Sequence, residues 1–115
     1  MAISAYLDID QGSDFVSVLE LENDNGTPMN LIGFQVYSQF RKSYGSTIAH
    51  QFEATIVSPA TLGKVQLKLS GINSSLIKPG RYLYDVEIIS ATNIKIRVVE
   101  GILTINPEIT KIPWK

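Results

Sequence analysis

Leu76-Ile77-Lys78-Pro79-Gly80-Arg81-Tyr82-Leu83-Tyr84 is the stretch on which the fold turns. Residues 72–78 are the one segment with a helical look, and Pro79-Gly80 stops it within two turns. Past the glycine the period changes from helical to two. Tyr82, Tyr84, Val86 and Ile88 point one way, with Arg81, Leu83, Asp85 and Glu87 between them. A short turn therefore leads into a strand whose inward face opens on two tyrosines spaced two apart.

The same alternation runs outward in both directions. Downstream, Ile94, Ile96 and Val98 begin a strand that resumes after Gly101 as residues 102–105. Upstream, Val65, Leu67 and Leu69 alternate with Lys64, Gln66 and Lys68. His50, Phe52, Ala54 and Ile56 form a stripe, as do Phe34, Val36 and Phe40. Phe15, Leu19 and Leu21 oppose Glu20 and Glu22, and Ile3, Ala5, Leu7 and Ile9 complete the set. Turn residues separate the runs, as in Asn23-Asp24-Asn25-Gly26-Thr27-Pro28, Ser58-Pro59 and Ala91-Thr92-Asn93.

Seven short strands at this spacing predict an antiparallel β-sandwich. In immunoglobulin-like sandwiches a tyrosine at the start of strand F stands two residues before the second cysteine, and its hydroxyl bonds backbone a few residues upstream. Tyr82 takes that corner position after Gly80, and Tyr84 takes the place of the cysteine. The expected fold class is all-β, an immunoglobulin-like antiparallel β-sandwich of about seven strands, with residues 1–110 as one domain and 111–115 as a tail. Register follows from residues 91–93 as a three-residue loop. Ile88 then faces Ile96, Val86 faces Val98 and Glu87 faces Arg97, and a one-residue slip destroys these matches.

Composition narrows the function. The 115 residues are 44% hydrophobic and 18% charged, which suits a packed core. Net charge is -1, so no global basic field draws the chain to nucleic acid. The absence of cysteine removes disulfides, thiolate nucleophiles and zinc–thiolate sites. No apolar run reaches the ~20 residues of a membrane span. The opening Met-Ala-Ile-Ser does not read as a signal peptide, so synthesis in a cytoplasm is expected. Charge is segregated along the chain. Asp8, Asp10, Asp14, Glu20, Glu22 and Asp24 precede the first base, Arg41, so residues 1–40 carry -6 and the remainder +5. Either cross-strand pairing of Glu20 and Glu22 with Lys64 and Lys68, or head-to-tail docking of unlike surfaces, accounts for this.

Candidate chemistry is sparse. Asp8-Ile9-Asp10-Gln11-Gly12-Ser13-Asp14 resembles a calcium loop, but its glycine is fifth rather than sixth and no closing glutamate follows. His50 is the only histidine and reads as a half-buried strand residue. Catalytic, metal and cofactor sites are therefore not expected. Glu100 is the titratable residue of most interest. In the register above it faces Tyr84 from the inner side, with Arg41 as its partner on the neighbouring strand. The other reading is a bulge at Glu100-Gly101 that turns the carboxylate out.

Several segments together resemble a known group of proteins. They are Asp24-Asn25-Gly26-Thr27-Pro28-Met29-Asn30-Leu31-Ile32-Gly33, Arg41-Lys42, Gly63-Lys64-Val65-Gln66-Leu67, Pro79 to Glu87, Val99-Glu100-Gly101 and Pro107-Glu108-Ile109-Thr110. Their order and spacing resemble small virion structural proteins of tailed bacteriophages of the T4-like cyanophage type. They are also similar to the immunoglobulin-like N-terminal domain of phage upper-baseplate proteins. The resemblance implies a non-enzymatic protein-protein interaction module of the tail, baseplate or neck. It would be made in the host bacterial cytoplasm, incorporated into the virion, and partnered by other virion proteins or by itself as a homo-oligomer, with no nucleic acid or membrane. A capsid decoration protein is the first alternative. A carbohydrate-binding adhesion module is the second, and Tyr37 with Tyr44 is its candidate aromatic pair. Ile112, Pro113 and Trp114, beyond the last expected strand, are candidate partner contacts.

Overall fold

A computed structural model describes residues 3–110. Nine strand segments form two sheets: β1 (Ile3–Ser4), β2 (Leu7–Asp10), β3 (Phe15–Glu20), β4 (Gln35–Arg41), β5 (His50–Gln51), β6 (Glu53–Ile56), β7 (Lys64–Leu69), β8 (Gly80–Ile89) and β9 (Lys95–Asn106). A five-residue helix, α1 (Gly71–Ser75), lies between β7 and β8. The larger sheet runs β1-β9-β8-β4-β5, with β2 also on β9, and the smaller runs β3-β7-β6. The inner stripes meet between them as a single core. This is the all-β, immunoglobulin-like sandwich expected from the alternation.

Two of the seven expected strands are each divided. The first breaks at Ala5-Tyr6, and both halves pair with β9 in parallel rather than antiparallel. Parallel pairing requires a long connection, and Ile3 and its partner Val99 are almost a whole domain apart in the chain. The fourth breaks at Phe52. His50 and Gln51 pair with β4, whereas Glu53 to Ile56 pair with β7 in the other sheet. The chain changes sheets there, and Phe52 is the hinge, its side chain in the core and its N–H donating to the Ser38 carbonyl at 3.0 Å.

The β8–β9 hairpin begins as expected, with Ile88 opposite Ile96 and Glu87 opposite Arg97. The register then shifts by one residue, so that Val86 faces Val99, Asp85 faces Glu100 and Tyr84 faces Gly101. The expected pairing of Val86 with Val98 is corrected accordingly. A bulge at Val98-Val99 explains the shift: the two valines are 6% and 0% exposed, so both are buried although adjacent. Burying a valine contributes about 1.5–3 kcal/mol, more than the ladder bond a bulge forgoes. The strand then continues through Gly101 without a break.

Cross-strand charge pairing is realised in part. Glu20 stands opposite Lys64, with carboxylate and ammonium 4.0 Å apart and both exposed. Such a pair contributes at most about 1 kcal/mol. Glu22 instead bridges to Pro28, and Lys68 stands opposite Val16 and Glu53.

The tyrosine corner is present. The Tyr82 hydroxyl donates to the Lys78 carbonyl at 2.6 Å. Its ring lies edge-on to Phe40, with centroids 5.5 Å apart, and the Lys42 ammonium stands 4.6 Å from the ring centroid. Burial raises the phenol pKa, which keeps it a donor. Tyr82→Phe should therefore lower the unfolding free energy by about 1 kcal/mol, roughly 4 °C in Tm, with no change in far-ultraviolet circular dichroism. An unaltered midpoint would remove the corner bond from any account of stability.

Helix α1 is fastened to the turn after β2. Ser70 caps it by accepting the Asn73 N–H at 3.2 Å. The buried Ser74 hydroxyl accepts the Gly12 N–H at 2.9 Å, and the Asp14 carboxylate accepts the Gly71 N–H at 2.6 Å. Gly12 and Asp14 of the calcium-like stretch thus serve this turn-to-helix junction.

Candidate functional site

The outer face of the larger sheet carries the main cluster of polar side chains. Strand alternation puts Gln35, Tyr37, Gln39 and Arg41 outward on β4, and Leu83, Asp85, Glu87 and Ile89 outward on β8. On β9 the bulge decides what points out. Ahead of it Lys95 and Arg97 face outward, and beyond it Glu100 and Ile102 do. Hydrogen-bonded register aligns these into rows across the three strands. Tyr37, Glu87 and Arg97 form one row, Gln39, Asp85 and Glu100 the next, and Arg41, Leu83 and Ile102 the third.

Ion pairs run diagonally between the rows. Arg97 Nε lies 3.2 Å from Asp85 Oδ2, and its Nη1 lies 3.6 Å from Glu100 Oε2. Lys95 Nζ lies 3.3 Å from Glu87 Oε1. Arg41 donates to the Ser46 carbonyl at 2.9 Å and to Gln39 Oε1 at 3.3 Å. Burial, reinforced by repulsion from Glu87, raises the Asp85 pKa from its ordinary value, although Arg97 and Lys95 pull the other way. A shallow depression of about 420 Å³ opens over Arg41, Asp85, Arg97 and Glu100, with Tyr44 at its margin. A second depression of about 450 Å³ shares Gln39, Arg41, Asp85 and Glu87 with it and reaches Tyr37. Tyr44 is 81% exposed and Tyr37 nearly half exposed, so two aromatic rings flank one charged surface.

Glu100 is the principal correction at the site. It does not face Tyr84 from the inner side, and Arg41 is not its partner. The bulge two residues earlier turns it outward to Arg97, which spares a carboxylate the cost of entering the core. The bulge that turns this carboxylate out lies at Val98-Val99, not at Glu100-Gly101. Tyr84 holds the position of the absent cysteine. Its hydroxyl donates to the Ala5 carbonyl at 2.8 Å, and burial pushes its pKa up to about 12. Gly101 opposite it leaves room for that carbonyl, onto which a Cβ would fall. Gly80 has φ +143°, a conformation that L side chains rarely adopt, and the Lys42 ammonium lies against it. His50 is half-buried, its ring 5.1 Å from that of Phe40. Ile112, Pro113 and Trp114 lie outside the described residues.

Asp85 and Lys95 belong to the site although neither was singled out in the sequence. The signal that identifies Asp85 is its place in the outward stripe of β8 beside Glu87. Among the described residues no three His, Cys, Asp or Glu side chains group as metal ligands, and no helix is long and apolar enough to cross a membrane.

No family model matches the sequence, and no curated protein matches it. Solved structures align with most of the chain. An internalin-like protein of Listeria monocytogenes aligns with 91% of this chain and 28% of its own, at 17% identity and a TM-score of 0.49. The sialic acid binding region of a Streptococcus sanguinis adhesin aligns with 90% of this chain and 28% of its own, at 16% identity and a TM-score of 0.48. A chain from the complex of ICOS with ICOS-L and an anti-ICOS-L VNAR domain aligns with 93% and 56%, at 14% identity and a TM-score of 0.44. The chain thus spans just over a quarter of the length of the first two.

Proposed function

We propose that the chain is a non-enzymatic protein-protein interaction module that serves as a structural protein of a tailed-phage virion, in the tail, baseplate or neck. The virion assignment rests on the ordered segments from Asp24 to Thr110 that resemble such proteins. The interaction role rests on one observation: acids and bases interleave across three adjacent strands on the outer face of the larger sheet. Arg97 engages Asp85 and Glu100, Lys95 engages Glu87, and Arg41 engages Gln39 and Ser46. Groups held by one another in this way are poorly placed to attack a substrate. They suit a polar rim that fixes a partner's orientation and speeds docking.

Purified particles test this reading. The chain should co-purify with virions, and cross-links from Lys95 should reach tail, baseplate or neck proteins. Cross-links to the major capsid protein alone would favour capsid decoration, and absence from purified particles would reject the virion role.

A second reading, a carbohydrate-binding adhesion module, is favoured by Tyr37 and Tyr44 flanking the same charged face. Aromatic rings pack on sugar C–H faces while carboxylates and amides bind hydroxyls. A glycan array would report it, with the signal lost in Tyr44→Ala. A blank array would leave the protein-partner reading alone.

A further inference from the structure

β3 is an open edge of the smaller sheet. It is six residues long and, among the described residues, pairs with β7 alone. Backbone groups alternate in direction along a strand. The Leu21 N–H, which continues β3, donates to the Gly63 carbonyl at 2.7 Å on the β7 side. Phe15, Ser17 and Leu19 therefore turn their N–H and C=O toward β7, and Val16, Val18 and Glu20 turn theirs off the sheet. Side chains along the strand are uncovered as well. On the outer face Val16 is 54% exposed and Val18 48%. On the inner face Phe15 and Leu19 are only half-buried, whereas Val65, Leu67 and Leu69 of β7, one strand in, are buried. The core is open along this side of the sandwich. No other edge matches it. β1 and β5 have two residues each. β6 has four with Glu53 exposed, and β2 has four with Asp8 and Asp10 exposed. Charges, prolines and bulges are the usual guards of an edge. From Phe15 to Leu19 β3 has none of them.

We propose that β3 receives an extended segment of a partner protein as a fourth strand of the smaller sheet. A row of outward N–H and C=O groups is matched by extended backbone, which supplies affinity, while alternate side chains supply specificity. The inward side chains of that segment are apolar and cover Phe15 and Leu19. Its outward side chains include lysine or arginine, because Asp14, Glu20 and Glu22 line this edge with acids. β7 shows such a strand on the bonded side. Val65, Leu67 and Leu69 face the core, and Lys64 and Lys68 stand opposite Glu20 and Val16. A second copy of β3 fits badly. Antiparallel pairing about a two-fold axis at Ser17 sets Asp14 against Glu20, and an axis at Val18 sets it against Glu22. Like charges directly opposite are destabilising. This surface lies apart from the charged face of the larger sheet, and the inference is independent of the virion assignment.

A peptide that copies residues 63–70 of this chain serves as the probe, since β3 already accepts that sequence on its other side. Added to the isotopically labelled full chain, it should bind with a dissociation constant below about 1 mM. Nuclear magnetic resonance shifts and slowed hydrogen exchange should centre on the amides of Val16, Val18 and Glu20. Replacing both peptide lysines with glutamate should weaken binding about tenfold at low salt. Val18→Pro removes an N–H that the β3–β7 ladder does not use, and should abolish binding while the chain stays folded. Val16→Lys guards the edge and serves the same purpose if Val18→Pro fails to fold. Absence of binding at about 1 mM peptide overturns the inference. So does equal binding of the glutamate peptide, or binding that either folded variant leaves intact. Dimerisation of the chain that Val18→Pro abolishes would make a second copy the occupant and overturn the inference too.

Discussion

Phe40→Ala is expected to lower the unfolding free energy by about 3–5 kcal/mol, the usual cost of emptying a fully buried aromatic site. Phe40 is 0% exposed and sits where both sheets meet. Its ring centroid is 5.0 Å from that of Phe52, at the point where the chain changes sheets, and 5.5 Å from that of Tyr82 at the corner. Alanine would leave a cavity against both, and neither can collapse into it without releasing its own backbone bond. A domain of this size holds about 6–17 kcal/mol in total, so a large share of stability is at issue. Urea titrations of wild type, Phe40→Ala and Phe40→Leu should show a graded loss, with leucine costing less than about half as much as alanine. A loss below about 1.5 kcal/mol for alanine would show that this site is not the centre of the core.

Gly101→Ala should cost about 3 kcal/mol without removing any atom. The added methyl would fall on the Ala5 carbonyl oxygen and 3.2 Å from the Tyr84 ring. That oxygen accepts the Tyr84 hydroxyl, and the Ala5 N–H donates to the Glu100 carbonyl at 3.0 Å. Overpacking of this kind costs about 1–3 kcal/mol, and a buried hydroxyl stripped of its acceptor adds about 1–3 kcal/mol. The melt should fall by roughly 12 °C, and hydrogen exchange at the Ala5 amide should lose its protection. Adding Tyr84→Phe to Gly101→Ala should cost little more, because the bond it removes is already broken. Full additivity would mean that the methyl is accommodated without moving Ala5.

Alternation carried most of the fold because burial on one side of a sheet leaves a period of two in the sequence. The corner tyrosine was legible for the same reason, from its spacing to Tyr84 and the turn before it. Three features escaped a reading by period. The change of sheets at Phe52 leaves the stripe from His50 to Ile56 unbroken, since both halves face the same core. The bulge at Val98-Val99 conflicts with alternation, yet the pair of adjacent valines is itself its signature. Read without that bulge, the strand puts Glu100 on the inner side. Parallel pairing of β1 and β2 left no mark, because a strand's own pattern does not say which way its neighbour runs.

That parallel pairing also dictates when the sheet can be finished. Ile3 waits for Val99, and Asp10 for Asn106, each a separation of 96 residues. At the usual pace of translation the partner strand follows about 5–20 s later. Closing so long a loop costs roughly 2 kcal/mol more than closing one of a dozen residues. Through that interval Leu7 and Ile9 have no sheet to enter. Asp8 and Asp10, placed at alternate positions between and after them, are charges of the kind that flank hydrophobic strands and disfavour edge pairing. The acids of this strand are thus in place well before the sheet that receives it exists.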